Sequence, residues 1–443
     1  IGLEPNSEVW LEEWKASSDS DIGVLGKDPG YPTYERVSNY FTQVGETVNW
    51  LEDEGVAHWV TYPFFPHGRY QGPDYVIDSE TGAADPEGGY MLIDHMVDWL
   101  KNHDADLRLS TTGTKLLTND AGDVIGATVQ DANGSYDVYA SRGVVLATGG
   151  YNFNKDMVVK YTGQDLVPSG APGRTGDGIR MAMSAGAVGD NMGPMMINGA
   201  FNPLPGEAIC NGPNKELRAI FRQSQLYVDG AGNRYFNEQL TLDWPVASNA
   251  ILRSGEWTYL FFDDAFVKEL GTKGKGYLNP CGNFIQRGQV AKELPKLLQD
   301  GVKRGDVFEG KTIEEVAKKA GLNADNLKRA AADMTKFAKQ GKDTEFGKDK
   351  YYIRAVSKAP FYIVKGKLHT LASLNGVKVT ENLQVVNAKD QVIPGLYALG
   401  HDAGGVYGDS YDLRIGEGTA SSFAINSSRI AVENIIDQQK KGM

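Results

Sequence analysis

Long apolar runs are missing from this sequence, so no stretch reads as a membrane span. Cysteine is nearly missing as well. Cys210 and Cys281 are too few for a disulfide framework or a zinc site. Two buried free thiols are expected, with a single bridge as the alternative. A basic excess is also lacking: 45 Lys and Arg stand against 57 Asp and Glu, the net charge is −12, and no Lys/Arg-rich run occurs. Nucleic acid is therefore excluded as an expected partner. No signal-peptide pattern is visible, which leaves the compartment open. One further absence is a pattern: no G-x-G-x-x-G opens a strand-to-helix turn near the start. Gly416-Glu417-Gly418 lacks the third glycine, and Gly271 to Gly276 lacks both the spacing and the preceding strand of a phosphate loop. The latter is expected as a surface loop.

What is present is a chain of 443 residues, 41% hydrophobic and 23% charged, enough for two or three domains with a large core. A helix is expected over about Glu8 to Ser17. From Tyr34 to Glu54 the positions Val37, Tyr40, Phe41, Val44, Val48, Trp50 and Leu51 fall at helical spacing, and Gly55 supplies a stop. Met91 to His103 reads as another helix. Leu107 to Val145 alternates around the turns Ala121–Asp123 and Ala132–Gly134, the pattern of a three-stranded meander. It runs into a buried strand, Val144 to Ala147, and then Thr148-Gly149-Gly150. Thr175-Gly176-Asp177-Gly178 opens a helix that Gly186 ends; Asp177 as an N-cap is one reading of that start. Tyr227 to Glu238 is a hairpin leading into Arg234-Tyr235-Phe236-Asn237-Glu238. Thr312 with Glu315 forms a capping box, and Asn323 starts the next helix. Val377 to Val386 reads as strand and turn. Finally Leu396 to Leu399 is a strand, followed by a glycine-rich loop and a long helix. Such a unit aims free N–H groups and a positive helix end at an electron-rich, partly anionic ligand.

Taken together, GLYALGHDAGG (395–405) with RIGEGTASSFA (414–424), the ATGG-Y-N-F-N run at 147–154, the GDG at 176–178 and the R-Y-F-N-E at 234–238 resemble the fumarate reductase/succinate dehydrogenase flavoprotein family. The resemblance implies an α/β (α+β) fold: an FAD/NAD(P)-binding Rossmann-like domain over 1–189 and 367–443, with an inserted α+β cap domain over 190–366. Members carry the G-x-G-x-x-G fingerprint in their first βαβ unit. Since this chain starts at Ile1 without it, an N-terminal unit of roughly 30 residues or more is expected to be missing.

The resemblance also implies FAD as cofactor, with contacts at Thr148, Gly149, Gly150, Asp177, Gly178, Thr370, Gly400, His401, Thr419 and Ala420. His401 stands where the family has a glutamate that binds the cofactor's hydroxyls. Members move a hydride between flavin and an activated C=C bond while a side chain transfers a proton. Fumarate reductases use an Arg after the N-E pair for this; ketosteroid dehydrogenases use a Tyr. That position here is Leu242, which can do neither, so fumarate is not the expected substrate. Catalytic candidates are Tyr411 and Arg414, for carbonyl polarisation and proton supply, with Tyr407 behind them, and His369 as partner of a substrate carboxylate or carbonyl. With a three-residue insertion in the last loop Arg414 matches the family's carboxylate-binding Arg; without it Tyr411 stands where ketosteroid dehydrogenases carry a Tyr that hydrogen-bonds the substrate ketone, and the alternative for both is ordinary packing or ion pairing. The expected partners are a small molecule, bulky or aromatic rather than a small dicarboxylate, and an electron-donor domain or protein. The rival expectation is a cofactor-free relative that binds a ligand between its domains.

Overall fold

A computed structural model describes residues 12, 32–57, 59–61, 73–76, 90–201, 215–242, 244–255, 257–272, 290–408, 411 and 418–440. The expected N-terminal helix apart from Glu12, both cysteines, residues 273–276 of the glycine-lysine loop, and Arg414 lie outside them. The chain divides into two compact units, one of residues 1–163, 171–196 and 372–443, the other of 164–170 and 197–371. The sequence had put the inner boundaries at 189/190 and 366/367.

In the first unit the single helix expected over 34–54 is two, α1 (Tyr34–Phe41) and α2 (Val44–Asp53). The Thr42 hydroxyl donates to the Ser38 carbonyl at 2.7 Å, a local bond that competes with helix continuation. Val37, Tyr40, Phe41, Val48 and Leu51 are buried, whereas Trp50 is 42% exposed. A short antiparallel pair, β1 (Trp59–Thr61) and β2 (Pro73–Val76), precedes helix α3 (Tyr90–Asn102). The alternating segment forms the antiparallel meander β3 (Thr112–Thr118), β4 (Val124–Asp131) and β5 (Gly134–Tyr139). Strand β6 (Val144–Leu146) follows, then helices α4 (Lys155–Thr162) and α5 (Asp177–Ser184).

The second unit is built on a six-stranded sheet. Its strands are β7 (Val167–Pro168), β8 (Met195–Phe201), β9 (Leu226–Val228), β10 (Trp257–Asp263), β11 (Val307–Gly310) and β12 (Phe361–Ser373). Among its helices are α6 (Lys215–Ala219), α7 (Trp244–Ser254), α8 (Asp264–Thr272), α9 (Leu294–Arg304), α10 (Ile313–Ala320) and α11 (Ala324–Gln340). Thr312 and Asn323 cap α10 and α11 through their side-chain oxygens, and Gly321 and Gly341 end them in left-handed conformation. The apolar faces of α10 and α11 close over the sheet, burying Val316, Leu327, Met334 and Phe337 with Phe261, Phe361 and Ile363.

The chain then returns to the first unit with β13 (Gln384–Val386), β14 (Val392–Ala398) and the long helix α12 (Thr419–Lys440). Strand β14 lies between β13 and β6, antiparallel to the first and parallel to the second. Among the described residues β6 pairs with β14 alone, and Val145 is 37% exposed, so this strand is less covered than its all-apolar sequence suggested. Helices α1 and α2 pack on α12: Tyr40 meets Phe423 edge-on at 5.0 Å, Asn426 donates to the Tyr40 carbonyl, and Arg429 pairs with Glu46.

Candidate functional site

Parallel pairing of β6 with β14 brings the two glycine-rich strand ends side by side. Beyond them sits one buried carboxylate, Asp402. It accepts from the Thr148 N–H, from the Thr148 hydroxyl at 2.8 and 3.0 Å, and from the Gly150 N–H at 3.0 Å. Burial pushes the Asp402 pKa up, and these bonds work against that push. The Thr148 hydroxyl also accepts from the Gly178 N–H at 3.1 Å, which ties in the start of α5. A side chain at 178 would have its Cβ 2.7 Å from the Thr148 hydroxyl and 2.8 Å from Asp402, so only glycine fits. Sequence reasoning took His401 as the contact and gave Asp402 only as the residue after it, with no sign of its bonds to Thr148 and Gly150.

Gly149 and Gly150 have φ of +85° and +84°, a conformation glycine adopts without cost. A Cβ on Gly150 would sit 2.1 Å from the Ser373 hydroxyl and 3.1 Å from the His401 Cβ. The Gly150 carbonyl accepts from the Gly176 N–H, and the Arg174 carbonyl from the Phe153 N–H, at 2.9 and 3.0 Å. The segment after β6 is thus stitched to the loop before α5. In that loop Gly176, not Asp177, is the N-cap; the Asp177 carboxylate accepts from the Thr175 hydroxyl at 2.6 Å and pairs with Arg180.

Gly400 donates its N–H to the Ser427 hydroxyl at 3.1 Å, fixing the end of β14 on α12. His401 follows, its Nδ1 buried without a hydrogen-bond partner among the described residues. Burial lowers its pKa to about 4, helped by the nearby Arg174 charge and opposed by a backbone bond with Ser373. The ring is therefore neutral at pH 7. Because the unfolded chain takes up this proton near 6.5 and the folded one near 4, stability should fall as the pH drops through that window and level off below it. Urea titrations at pH 7, 6 and 5 should show this loss, and His401→Asn should lack it.

At the start of α12, Thr419 and Ala420 are buried beside two tyrosines whose rings lie 5.6 Å apart. The Tyr407 hydroxyl donates to the Thr419 hydroxyl at 3.4 Å, and the Tyr411 hydroxyl accepts from the Ala420 N–H at 3.5 Å. Burial pushes the Tyr407 phenol well above its usual value. The segment bearing Tyr407 is held by Asn375, which donates to the Tyr407 carbonyl at 2.8 Å, and by Asn191, which donates to Gly408.

Two further candidates, His369 and Thr370, belong to the second unit. His369 and Thr370 are buried on β12 opposite Val167 and Pro168, and the Thr370 carbonyl accepts from both the N–H and the hydroxyl of Ser169. Leu242 closes a 3-10 helix, Glu238–Leu242, whose first residue is anchored by charge. Arg234 forks onto Glu238 with two bonds of 2.8 Å and reaches Asp343 at 2.7 Å, while Lys348 stands 3.3 Å from Glu238. The R-Y-F-N-E segment and Asp343, which follows the end of α11, are thus joined by buried charges, a link their separation in sequence concealed.

A family model described as "FAD binding domain" matches residues 28–414. The chain belongs to this family. Its cofactor is FAD, and it is a flavin-dependent oxidoreductase with the fold of the fumarate reductase flavoproteins. The vinyl phenol reductase of Lactiplantibacillus plantarum is 27% identical over 435 residues, 95% of this chain and 85% of that protein. A probable fumarate reductase of Shewanella frigidimarina is 29% identical over 405 residues, 88% of this chain but 59% of that protein. Among solved structures, the open conformation of a flavocytochrome c3 fumarate reductase superposes with a TM-score of 0.65 at 25% identity, covering 96% of this chain and 66% of that one. The residues present suit the cofactor: the backbone at Gly149 and Gly150 holds a left-handed turn that glycine adopts freely, and the Nδ1 of His401 is a buried polar atom without a hydrogen-bond partner among the described residues.

Proposed function

We propose that this flavoprotein reduces an activated C=C bond, an enoate or enone, or runs the reverse desaturation, and that fumarate is not its substrate. Bound FAD supplies the hydride. The observation that carries the rest is the place of Tyr411: its phenol oxygen accepts from the N–H of Ala420 at the start of a 22-residue helix. A phenolate left there after proton donation gains from the positive helix end, so Tyr411 can polarise a carbonyl or give up a proton. Leu242 at the family's acid position supports a donor elsewhere. Tyr407 buttresses Tyr411, and Arg414 and His369 remain the candidates for binding a carboxylate or carbonyl. Thr148, Gly149, Gly150, Asp177, Gly178, Thr370, Gly400, His401, Thr419 and Ala420 are the proposed cofactor contacts. Residues 190–366 are read as the cap domain. A relative named vinyl phenol reductase, matched over nearly the whole chain, favours a bulky or aromatic alkene over a small dicarboxylate. Electrons come from a separate donor domain or protein.

Anaerobic turnover with a reduced viologen as donor tests this against vinyl phenol, a cyclic enone, a cinnamate and fumarate. Oxidation of the viologen by one of the first three and not by fumarate is expected; turnover of fumarate alone would overturn the reading. For the proton donor, Tyr411→Phe should slow turnover by about 10²- to 10⁴-fold while bound flavin is unchanged. Unaltered turnover removes Tyr411 from the mechanism.

A further inference from the structure

The loop that carries Tyr407 and Tyr411 rests on a platform that stands in none of the motifs. Segments 188–194 and 374–378 run antiparallel, tied by the Lys378 N–H to the Val188 carbonyl at 2.8 Å, the Asp190 N–H to the Gly376 carbonyl at 2.9 Å and the Leu374 N–H to the Pro194 carbonyl at 3.1 Å. The last loop is fastened along this pair. The Gly404 N–H donates to the Val377 carbonyl at 2.9 Å, and two buried amides hold carbonyls further on. Asn375, only 1% exposed, donates to the Tyr407 carbonyl at 2.8 Å and to that of Asn191 at 3.3 Å; Asn191 donates to the Gly408 carbonyl at 3.3 Å. The Asn375 Oδ1 is buried without a hydrogen-bond partner among the described residues. An unpaired buried acceptor costs stability that a leucine of similar size would not, so the two donor bonds are what this side chain is there for.

We propose that Asn375 is a positioning residue for proton transfer: by holding the Tyr407 carbonyl it sets Tyr407, and through Tyr407 the Tyr411 phenol, against the first turn of α12. The inference rests on the reading of Tyr411 as proton donor. The Tyr407 ring lies 5.6 Å from the Tyr411 ring, and its hydroxyl donates to Thr419, one residue before the Ala420 N–H that the Tyr411 oxygen faces. That last contact is 3.5 Å, at the long end for a hydrogen bond, so a small displacement of the loop breaks it. Asn375 exchanges no proton itself.

The test is anaerobic stopped-flow on the flavin-loaded protein, in wild type, Asn375→Leu, Tyr411→Phe and the double variant, with vinyl phenol and a cyclic enone as oxidants. Asn375→Leu should slow reoxidation of the reduced flavin by about 10- to 100-fold, the cost of a reacting group misplaced by about 1 Å. Bound flavin and the rate of flavin reduction by a reduced viologen should stay as in wild type, since neither needs Tyr411. In the Tyr411→Phe background the same substitution should cost less than about twofold, because the group it positions is already gone. Unaltered reoxidation in Asn375→Leu would overturn the proposal. So would an equal slowing of flavin reduction, which marks a general loss of structure. An unaltered Tyr411→Phe enzyme removes the donor reading and this inference with it, whereas costs that multiply in the double variant beside a slow Tyr411→Phe strike this inference alone. If Asn375→Leu does not fold, Asn375→Ser decides, its hydroxyl being too short to bridge Tyr407 and Asn191: wild-type reoxidation in that variant contradicts the assignment.

Discussion

Asp402→Ala is expected to destabilise the first unit by about 2–5 kcal/mol, because it strips the acceptor from two N–H groups and a hydroxyl at a fully buried position. The loss has a functional side. Asp402 orients Thr148 and Gly150, and through Thr148 the first turn of α5, so the glycine pair should lose its set conformation and the protein its flavin. Asp402→Asn keeps the size but turns an amide donor toward an N–H, so it should recover only part of the loss. Denaturant titration followed by flavin fluorescence measures both effects. A midpoint within error of wild type for the alanine variant would show that the clasp carries no weight.

Arg234→Met should cost about 3–5 kcal/mol, the usual penalty for removing one partner of a buried charge network. Glu238 and Asp343 would stay buried with Lys348 as their remaining cation. Burial opposes the charge on Arg234, but its bonds to the two carboxylates outweigh it and raise its pKa. For Asp343, burial pushes upward, yet the Arg234 bond and the N–H groups of Glu345, Lys348 and Phe346 hold it far below its ordinary value. Lys348 is lowered by burial, with Glu238 opposing. The sign for pH follows from Asp343. A carboxylate with a depressed folded pKa lends stability that is whole above the unfolded value of 3.8 and is lost as the pH falls through the folded one. Acid denaturation of wild type should therefore be steep below pH 4, and Arg234→Met should flatten it. Replacing Glu238 as well by an apolar residue of similar volume should restore part of the stability, since Asp343 keeps its N–H donors and Lys348 balances the one carboxylate left. Equal loss in the single and double variants would contradict the network account.

What could be read before the fold was known is what depends on neighbours in sequence. Alternation around two turns marked the meander, and Thr312 with Glu315 and Asn323 marked the starts of two helices. The motif segments were legible because glycine at 149, 150 and 178 answers to backbone geometry and close contact, which leave a local trace. What escaped notice is pairing over distance. Asp402 lies 254 residues from Thr148, and Arg234 lies 109 from Asp343. Neither link has a period or a spacing. Trp50 illustrates the converse, since helical spacing placed it with the core and the break at Thr42 and Gln43 leaves it exposed.

The central claim is that this chain holds a flavin that gives its electrons to an activated alkene. Its most direct test is to reduce the purified protein's flavin under anaerobic conditions and mix it with vinyl phenol or a cyclic enone while the visible flavin band is recorded. Return of the band together with the saturated product is the predicted result. A band that stays bleached with every alkene offered, or a protein that binds no flavin, would contradict it.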